Sequence, residues 1–281
     1  MTPTIGVFDS GFGGLTVLRE LLHLVPNARY LYLGDTARLP YGSKSRETIV
    51  RYALSSARFL QEQGAELLVI ACNTATALAL EELQAALPIP VIGVVDPGTR
   101  AAARACPPAT NGEQAGILVL ATQATVESHA YARSCQSVGL HATEKACPLL
   151  VPLVEEGWVP NHSEADTSVV TSQVLRIYLR EALEHMPSAR AVLLGCTHYP
   201  LLRQAIERTL TDLQHPVPVI DSAEATAEAV ASQLAASANY GHATAAGCEF
   251  FATDSVEKFA RLGTRFLGQP VNDVRLIDLG G

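Results

Sequence analysis

The sequence predicts an α/β protein of two similar lobes, each a mostly parallel sheet flanked by helices, related by pseudo-twofold symmetry around a central cleft. Three observations point there. Short, continuously apolar runs alternate with longer amphipathic stretches, the pattern of doubly buried strands between covering helices. One strand–loop–helix–strand unit occurs twice. At 281 residues, the chain exceeds the ~150 residues of a typical domain.

Strands are expected at residues 5–8, 30–33, 67–71, 91–94, 116–120, 191–194, 217–220 and 249–252. Helical patterns lie between many of them, for example at 15–23, 46–63, 75–86, 168–184 and 256–267. The repeat is visible in Leu67-Leu68-Val69-Ile70-Ala71-Cys72-Asn73-Thr74 and Ala191-Val192-Leu193-Leu194-Gly195-Cys196-Thr197-His198. In each, an apolar strand ends in a cysteine and small polar residues. A helical pattern follows, and then a Pro-x-Pro-Val-Ile strand, at 88–92 and at 216–220. Chance similarity is the competing reading, since strand–loop–helix units are common; four matched features in the same order weigh against it. Ligands of open α/β sheets bind at the carboxyl ends of strands. Two facing lobes would therefore set Cys72 and Cys196 across one cleft.

Composition narrows the classes. Hydrophobic residues make up 48% and charged residues 17%, enough for packed cores. The net charge is −8, and the lysines are Lys44, Lys145 and Lys258 with no basic run, which disfavours nucleic-acid binding. Neither a signal-peptide pattern nor an apolar run near the ~18 residues of a membrane span occurs, so a cytoplasmic protein away from membranes is expected. None of the six cysteines forms a C-x-x-C pair, and disulfides are not expected in a reducing compartment. Cys106, Cys135 and Cys248 read as small buried apolar residues. No histidine, including His23, His185 and His242, has metal-ligand spacing, and no metal is expected.

A cysteine where a strand meets a helix sits among unpaired N–H groups and a partial positive charge, which would lower its thiol pKa. Two such thiols on opposite faces of one carbon could act as base and acid and invert the centre. The rival is a thiol hydrolase using Cys196 and His198 alone, which gives Cys72 no role. A non-catalytic binding protein for an acidic ligand is a third reading, and it does not require a duplicated cysteine. Asp9-Ser10-Gly11-Phe12-Gly13-Gly14 follows the first strand and could present backbone N–H groups to a carboxylate. A capped tight turn is its plain alternative. The loop from Gly34 to Ser45 lies at the same sheet end, where ligand contacts concentrate, though from the residues alone a surface turn with Pro40-Tyr41-Gly42 as its corner is the favoured reading. Thr122 and Thr125 could simply cap a helix, and Glu155 and Glu156 could be a helix-end charge pair.

Taken together, these stretches resemble the glutamate racemases of the cofactor-independent, two-cysteine type. Val7 to Val17 and Gly34 to Gly42 look like the two amino-terminal signatures. Ala71-Cys72-Asn73-Thr74-Ala75 and Gly195-Cys196-Thr197-His198-Tyr199-Pro200 are similar to the two catalytic cysteine signatures. The segments 147–155 and 250–267 also resemble the family, so the likeness covers essentially the whole chain. The resemblance implies Cys72 and Cys196 as acid/base residues, assisted by Asp9, His198 and Glu155. Asp9, Ser10, Pro40, Tyr41, Gly42, Asn73, Thr74, Thr122, Thr125, Thr197 and His198 would hold L- or D-glutamate. It also implies no cofactor, a role in peptidoglycan precursor supply, a homodimer as in many members, and an inserted second lobe at 98–208 between first-lobe segments 1–97 and 209–281. An aspartate racemase of the same superfamily is the nearest alternative. Asp96 departs from a frequent family glutamate at a position with no carried-over role.

Overall fold

The computed structural model describes residues 2–107, 114–160, 166–236 and 247–280; His242 lies outside the described residues. In chain order the elements are β1 (Thr4–Asp9), α1 (Leu15–Leu24), β2 (Arg29–Gly34), α2 (Arg46–Glu62), β3 (Leu67–Ile70), α3 (Asn73–Ala86), β4 (Val91–Gly93), α4 (Val95–Ala105), β5 (Ala115–Ala121), α5 (Gln123–Ser128), α6 (Ala130–Ser137), β6 (Leu140–Ala146), α7 (Leu150–Glu155), α8 (Asp166–His185), β7 (Val192–Gly195), α9 (Arg203–Asp212), β8 (Val219–Asp221), α10 (Ser222–Ala236), β9 (Cys248–Ala252), α11 (Val256–Leu267) and β10 (Arg275–Leu276). Single 3-10 turns add Thr36–Arg38, Tyr41–Ser43 and Tyr199–Leu202.

The contacts divide the chain into two units, Met1–Val94 with Ala223–Gly281, and Val95–Ser222. The first holds a six-stranded sheet in the order β10-β9-β2-β1-β3-β4, and the second a four-stranded sheet in the order β6-β5-β7-β8. Every described strand pair is parallel. Parallel strands need crossovers, and the intervening helices supply them. That is why the central strands are apolar throughout: Leu67–Ile70 and Val192–Gly195 are buried at every position. In the first unit Phe8, Leu31, Leu33 and Ile70 pack with Ile49, Ala53 and Leu60 of α2 and Ala75, Ala79 and Leu83 of α3. In the second, Ile117, Val119 and Leu193 pack with Ala102, Tyr131 and Cys135.

The repeat extends beyond the segment where the sequence displays it. The order β2-β1-β3-β4 in one unit matches β6-β5-β7-β8 in the other. The Pro-x-Pro-Val-Ile strands dock identically: the Leu68 N–H donates to the Pro90 carbonyl at 2.9 Å, and the Val192 N–H to the Pro218 carbonyl at 2.9 Å.

The structure differs from expectation in two places. The unit boundaries fall after Val94 and after Ser222, not at 97/98 and 208/209. The cause is β8, which pairs with β7 and keeps α9 and β8 with the second sheet. Strands β6 and β10 lie at sheet edges and carry polar residues, Thr143, Glu144 and Lys145 or Arg275, and so they lack a continuous apolar run. Helix α4 begins through Asp96-Pro97-Gly98. Proline is tolerated in a first helical turn, and a Cβ on Gly98 would lie 3.0 Å from the Ser222 Cβ, tighter than ordinary contact.

Candidate active site

In the first unit the loops after β1 and β3 converge. Asp9, the last residue of β1, is buried, and its Oδ2 accepts the Gly11 N–H at 2.8 Å. Cys72 follows β3 at the N-cap of α3. Its sulfur accepts the Ala75 N–H at 3.4 Å, and its thiol donates to Ser10 Oγ at 3.4 Å. Asn73 and Thr74 open the helix and are buried. Burial pushes the Cys72 thiol up to about 11, and the negative charge of Asp9 adds to the rise; the hydrogen bonds with Ser10 and Ala75 act the other way and lose. The expectation that a helix N-terminus would lower this pKa is thus corrected. Desolvation of a group that is only 5% exposed outweighs the helix end.

Close approach explains the glycines of this loop. Gly14 has φ −61°, open to any residue, but a Cβ there would lie 2.5 Å from the Asp9 Cβ and 2.8 Å from the Ala71 Cβ. A Cβ on Gly34 would lie 2.3 Å from the Gly11 carbonyl oxygen. Phe12 is buried beside Phe259 and Phe266, which anchors the loop to α11.

The loop after β2 is organised by Asp35, which is fully buried. Its carboxylate accepts Arg38 Nε at 2.9 Å, Thr253 Oγ1 at 3.0 Å and the Tyr41 hydroxyl. Tyr41 is buried, and burial followed by the Asp35 charge raises its pKa. Pro40 is exposed and Gly42 half-buried in the turn Tyr41–Ser43. Sequence reasoning gave Asp35 no role. The available signal was a carboxylate at a strand end with an arginine three residues on, the pair the structure joins.

In the second unit β7 delivers Cys196, which is 6% exposed, with Thr197 and His198 buried beside it. His198 Nδ1 lies 4.0 Å from Cys196 Sγ and 3.4 Å from Thr197 Oγ1, while Nε2 lies 3.2 Å from Glu155 Oε1. Glu155, the last residue of α7, makes this contact; its neighbour Glu156 is exposed. A carboxylate on the far nitrogen orients the ring. Thr122 is the N-cap of α5, and its Oγ1 lies 3.0 Å from that of the buried Thr125. The Tyr199 hydroxyl donates to the Cys147 carbonyl at 3.0 Å, tying the Cys196 loop to the start of the segment that carries Glu155. Among the described residues, no group of three or more His, Cys, Asp or Glu is arranged to hold a metal ion.

Each unit thus assembles a buried cysteine at a strand end beside a different ionisable neighbour: Asp9 in the first unit, and His198 against Glu155 in the second. Comparison with known proteins bears on the chemistry. Residues 5–230 match the family model described as Asp/Glu/Hydantoin racemase. The chain is 50% identical to the glutamate racemase of Koribacter versatilis, over 99% of this chain and 98% of that one. Its fold is similar to the crystal structure of glutamate racemase from Francisella tularensis in complex with D-glutamate, with TM-score 0.86 and 33% identity over 99% of this chain and 98% of that one. It is also similar to the Thermus thermophilus glutamate racemase in complex with beta-chloro-D-alanine, with TM-score 0.82 and 42% identity over 99% and 98% of the two chains.

Proposed function

The chain belongs to the Asp/Glu/hydantoin racemase family, and we propose that it interconverts L- and D-glutamate without a cofactor, using Cys72 and Cys196 as the two acid/base groups. The observation that carries the reading is the duplication: two units of one topology each bring a buried cysteine to the end of the equivalent strand. A hydrolase needs one such thiol. Inversion needs two, one for each face of Cα.

One thiol is a thiolate and takes the Cα proton; the other gives its proton to the opposite face. The two have then exchanged states, ready for the reverse reaction. The charge that develops on the substrate carboxylate is held by aimed donors rather than by an electron sink. The N-terminal turn of α3 with Asn73 and Thr74, the backbone of the Ser10–Gly14 loop, and Thr197 are suited to this. Thr122 and Thr125 add hydroxyls from the second unit. The Tyr41 hydroxyl is committed to Asp35, so the turn at Pro40, Tyr41 and Gly42 offers its backbone, and it does so to the non-reacting end of the substrate. Cys72 keeps its proton when the site is empty; the ammonium group of a bound amino acid would draw its pKa down. In the cytoplasm the D-glutamate formed would enter peptidoglycan precursors.

The test is the circular dichroism of L-glutamate with the purified protein in deuterated water and no added cofactor. Decay to zero with deuterium at Cα is expected. The variants Cys72→Ser and Cys196→Ser should each exchange the Cα proton of one enantiomer only, and of opposite ones, without inversion. Decay with aspartate in place of glutamate would reassign the substrate. Full activity in both variants would refute the mechanism.

A further inference from the structure

Asp35 stands between two loops that are 218 positions apart in the chain. Thr253, just after β9, donates its hydroxyl to Asp35 Oδ1 at 3.0 Å, and Thr253 Oγ1 accepts the Ala37 N–H at 2.9 Å. One residue along, the pattern is reciprocated. Thr36 Oγ1 donates to the Asp254 carbonyl at 2.5 Å and accepts the Asp254 N–H at 2.9 Å. The Thr253 N–H adds a bond to the Gly34 carbonyl at 3.3 Å. On its other side Asp35 receives Arg38, whose guanidinium lies 4.4 Å from the centre of the Tyr52 ring, and Tyr41. A continuous hydrogen-bonded path therefore runs from Thr253 through Asp35 to Tyr41.

A fully buried carboxylate is tolerable only while charge-assisted donors surround it. Each donor lost leaves the carboxylate freer to move and its remaining partners with it. Thr253 is also the acceptor for the Ala37 N–H, so its hydroxyl holds Asp35 at the start of the turn Thr36–Arg38, and Ala37 within it, on the way to Pro40.

We propose that Thr253 is a positioning residue for the racemisation: through Asp35 it fixes the Pro40-Tyr41-Gly42 turn against which the substrate is held. The inference rests on the reading of that turn as a substrate contact. A contact to the non-reacting part of the substrate serves ground and transition states alike, so its loosening falls on KM rather than kcat.

The experiment compares Thr253→Val, which keeps shape and removes the hydroxyl, with Thr253→Ser, which retains it. Thr253→Val should raise KM for glutamate about tenfold, the scale of one lost buried hydrogen bond, with kcat within about threefold of wild type. Amide hydrogen exchange should accelerate in residues 36–44 and stay unchanged in residues 73–86. Thr253→Ser should restore both. An unchanged KM in Thr253→Val, a serine variant as impaired as the valine, or faster exchange spread equally through 73–86 would overturn the proposal. Wild-type protein inactive on glutamate would instead overturn the functional reading, while faster exchange confined to 36–44 in the valine variant would still support the clasp.

Discussion

Cys72 and Cys196 occupy the same place in two copies of one topology. Each lies two residues beyond a strand position of matching register: Ile70 pairs with Phe8 and Gly93, and Leu194 pairs with Leu120 and Asp221. The equivalence extends to their neighbours and shows where the copies diverge. Asp9, one residue past Phe8, corresponds to Ala121, one past Leu120. Thr74 corresponds to His198, each two residues past its cysteine. The first copy draws its ionisable neighbour from the neighbouring strand and the second from the loop after the cysteine. The two thiols therefore meet different chemistry: a carboxylate beside Cys72, and an imidazole that contacts Glu155 beside Cys196.

That asymmetry predicts unequal thiol reactivity. An imidazole beside a thiol can take up its proton and activate it as a nucleophile, and His198 Nδ1 lies 4.0 Å from Cys196 Sγ, so iodoacetamide should label Cys196 faster than Cys72 at neutral pH. His198→Asn should slow labelling of Cys196 and leave Cys72 unaffected. Peptide mass spectrometry over a labelling time course measures both. Equal rates in the wild-type protein would remove His198 from any electrostatic role.

Gly14 offers a steric test of the first unit. Its φ of −61° imposes no torsional need for glycine, so Gly14→Ala acts through space alone, against Asp9 and Ala71. Overpacking of this kind costs about 1–3 kcal/mol and displaces the carboxylate that holds the Gly11 N–H. Gly11→Ala is the comparison, because a Cβ there meets only the flexible end of Leu39 at 3.3 Å. Urea unfolding with turnover assays should show Gly14→Ala losing both stability and activity, and Gly11→Ala losing less of each. Equal behaviour would mean that the loop yields freely.

How much of this was legible in the sequence follows from what each residue does. Central strands buried on both faces must be apolar throughout, so residues 67–70 and 192–195 announce themselves. Strand β6 sits at an edge with polar residues and does not. The repeat itself held the correct placement of β8, since a second Pro-x-Pro-Val-Ile strand belongs with the cysteine strand before it. The boundary expected at 208/209 set that aside. The strand-end placement of both cysteines was legible from the repeat. The contact between Asp35 and Thr253 was not, because it is a hydrogen bond across 218 positions that no local pattern encodes. The direction of the Cys72 pKa shift was also hidden. A helix N-terminus can be read from sequence, whereas the depth of burial that overrides it depends on packing from β1, β3 and the Ser10 loop together.

Buried thiols give the fold a defined alkaline weakness. Burial raises Cys147 from an ordinary 9.0 to about 12, as it raises Cys72 to about 11. A native pKa above the unfolded one means that the folded state keeps its proton where the unfolded state loses it. The stabilisation is therefore complete below pH 9 and declines as pH rises through the window from 9 to 12. For Cys147, which is fully buried, the loss between pH 9 and 10 is about 1 kcal/mol. Urea unfolding at pH 8, 9 and 10 should show wild-type stability falling with pH and Cys147→Ala falling less steeply, whatever its lower starting value from the small cavity. The slope is the discriminating quantity, because a cavity lowers stability equally at every pH while a titrating thiol does not. Parallel slopes for the two proteins would show that the Cys147 thiol ionises no differently in the folded chain than in the unfolded one.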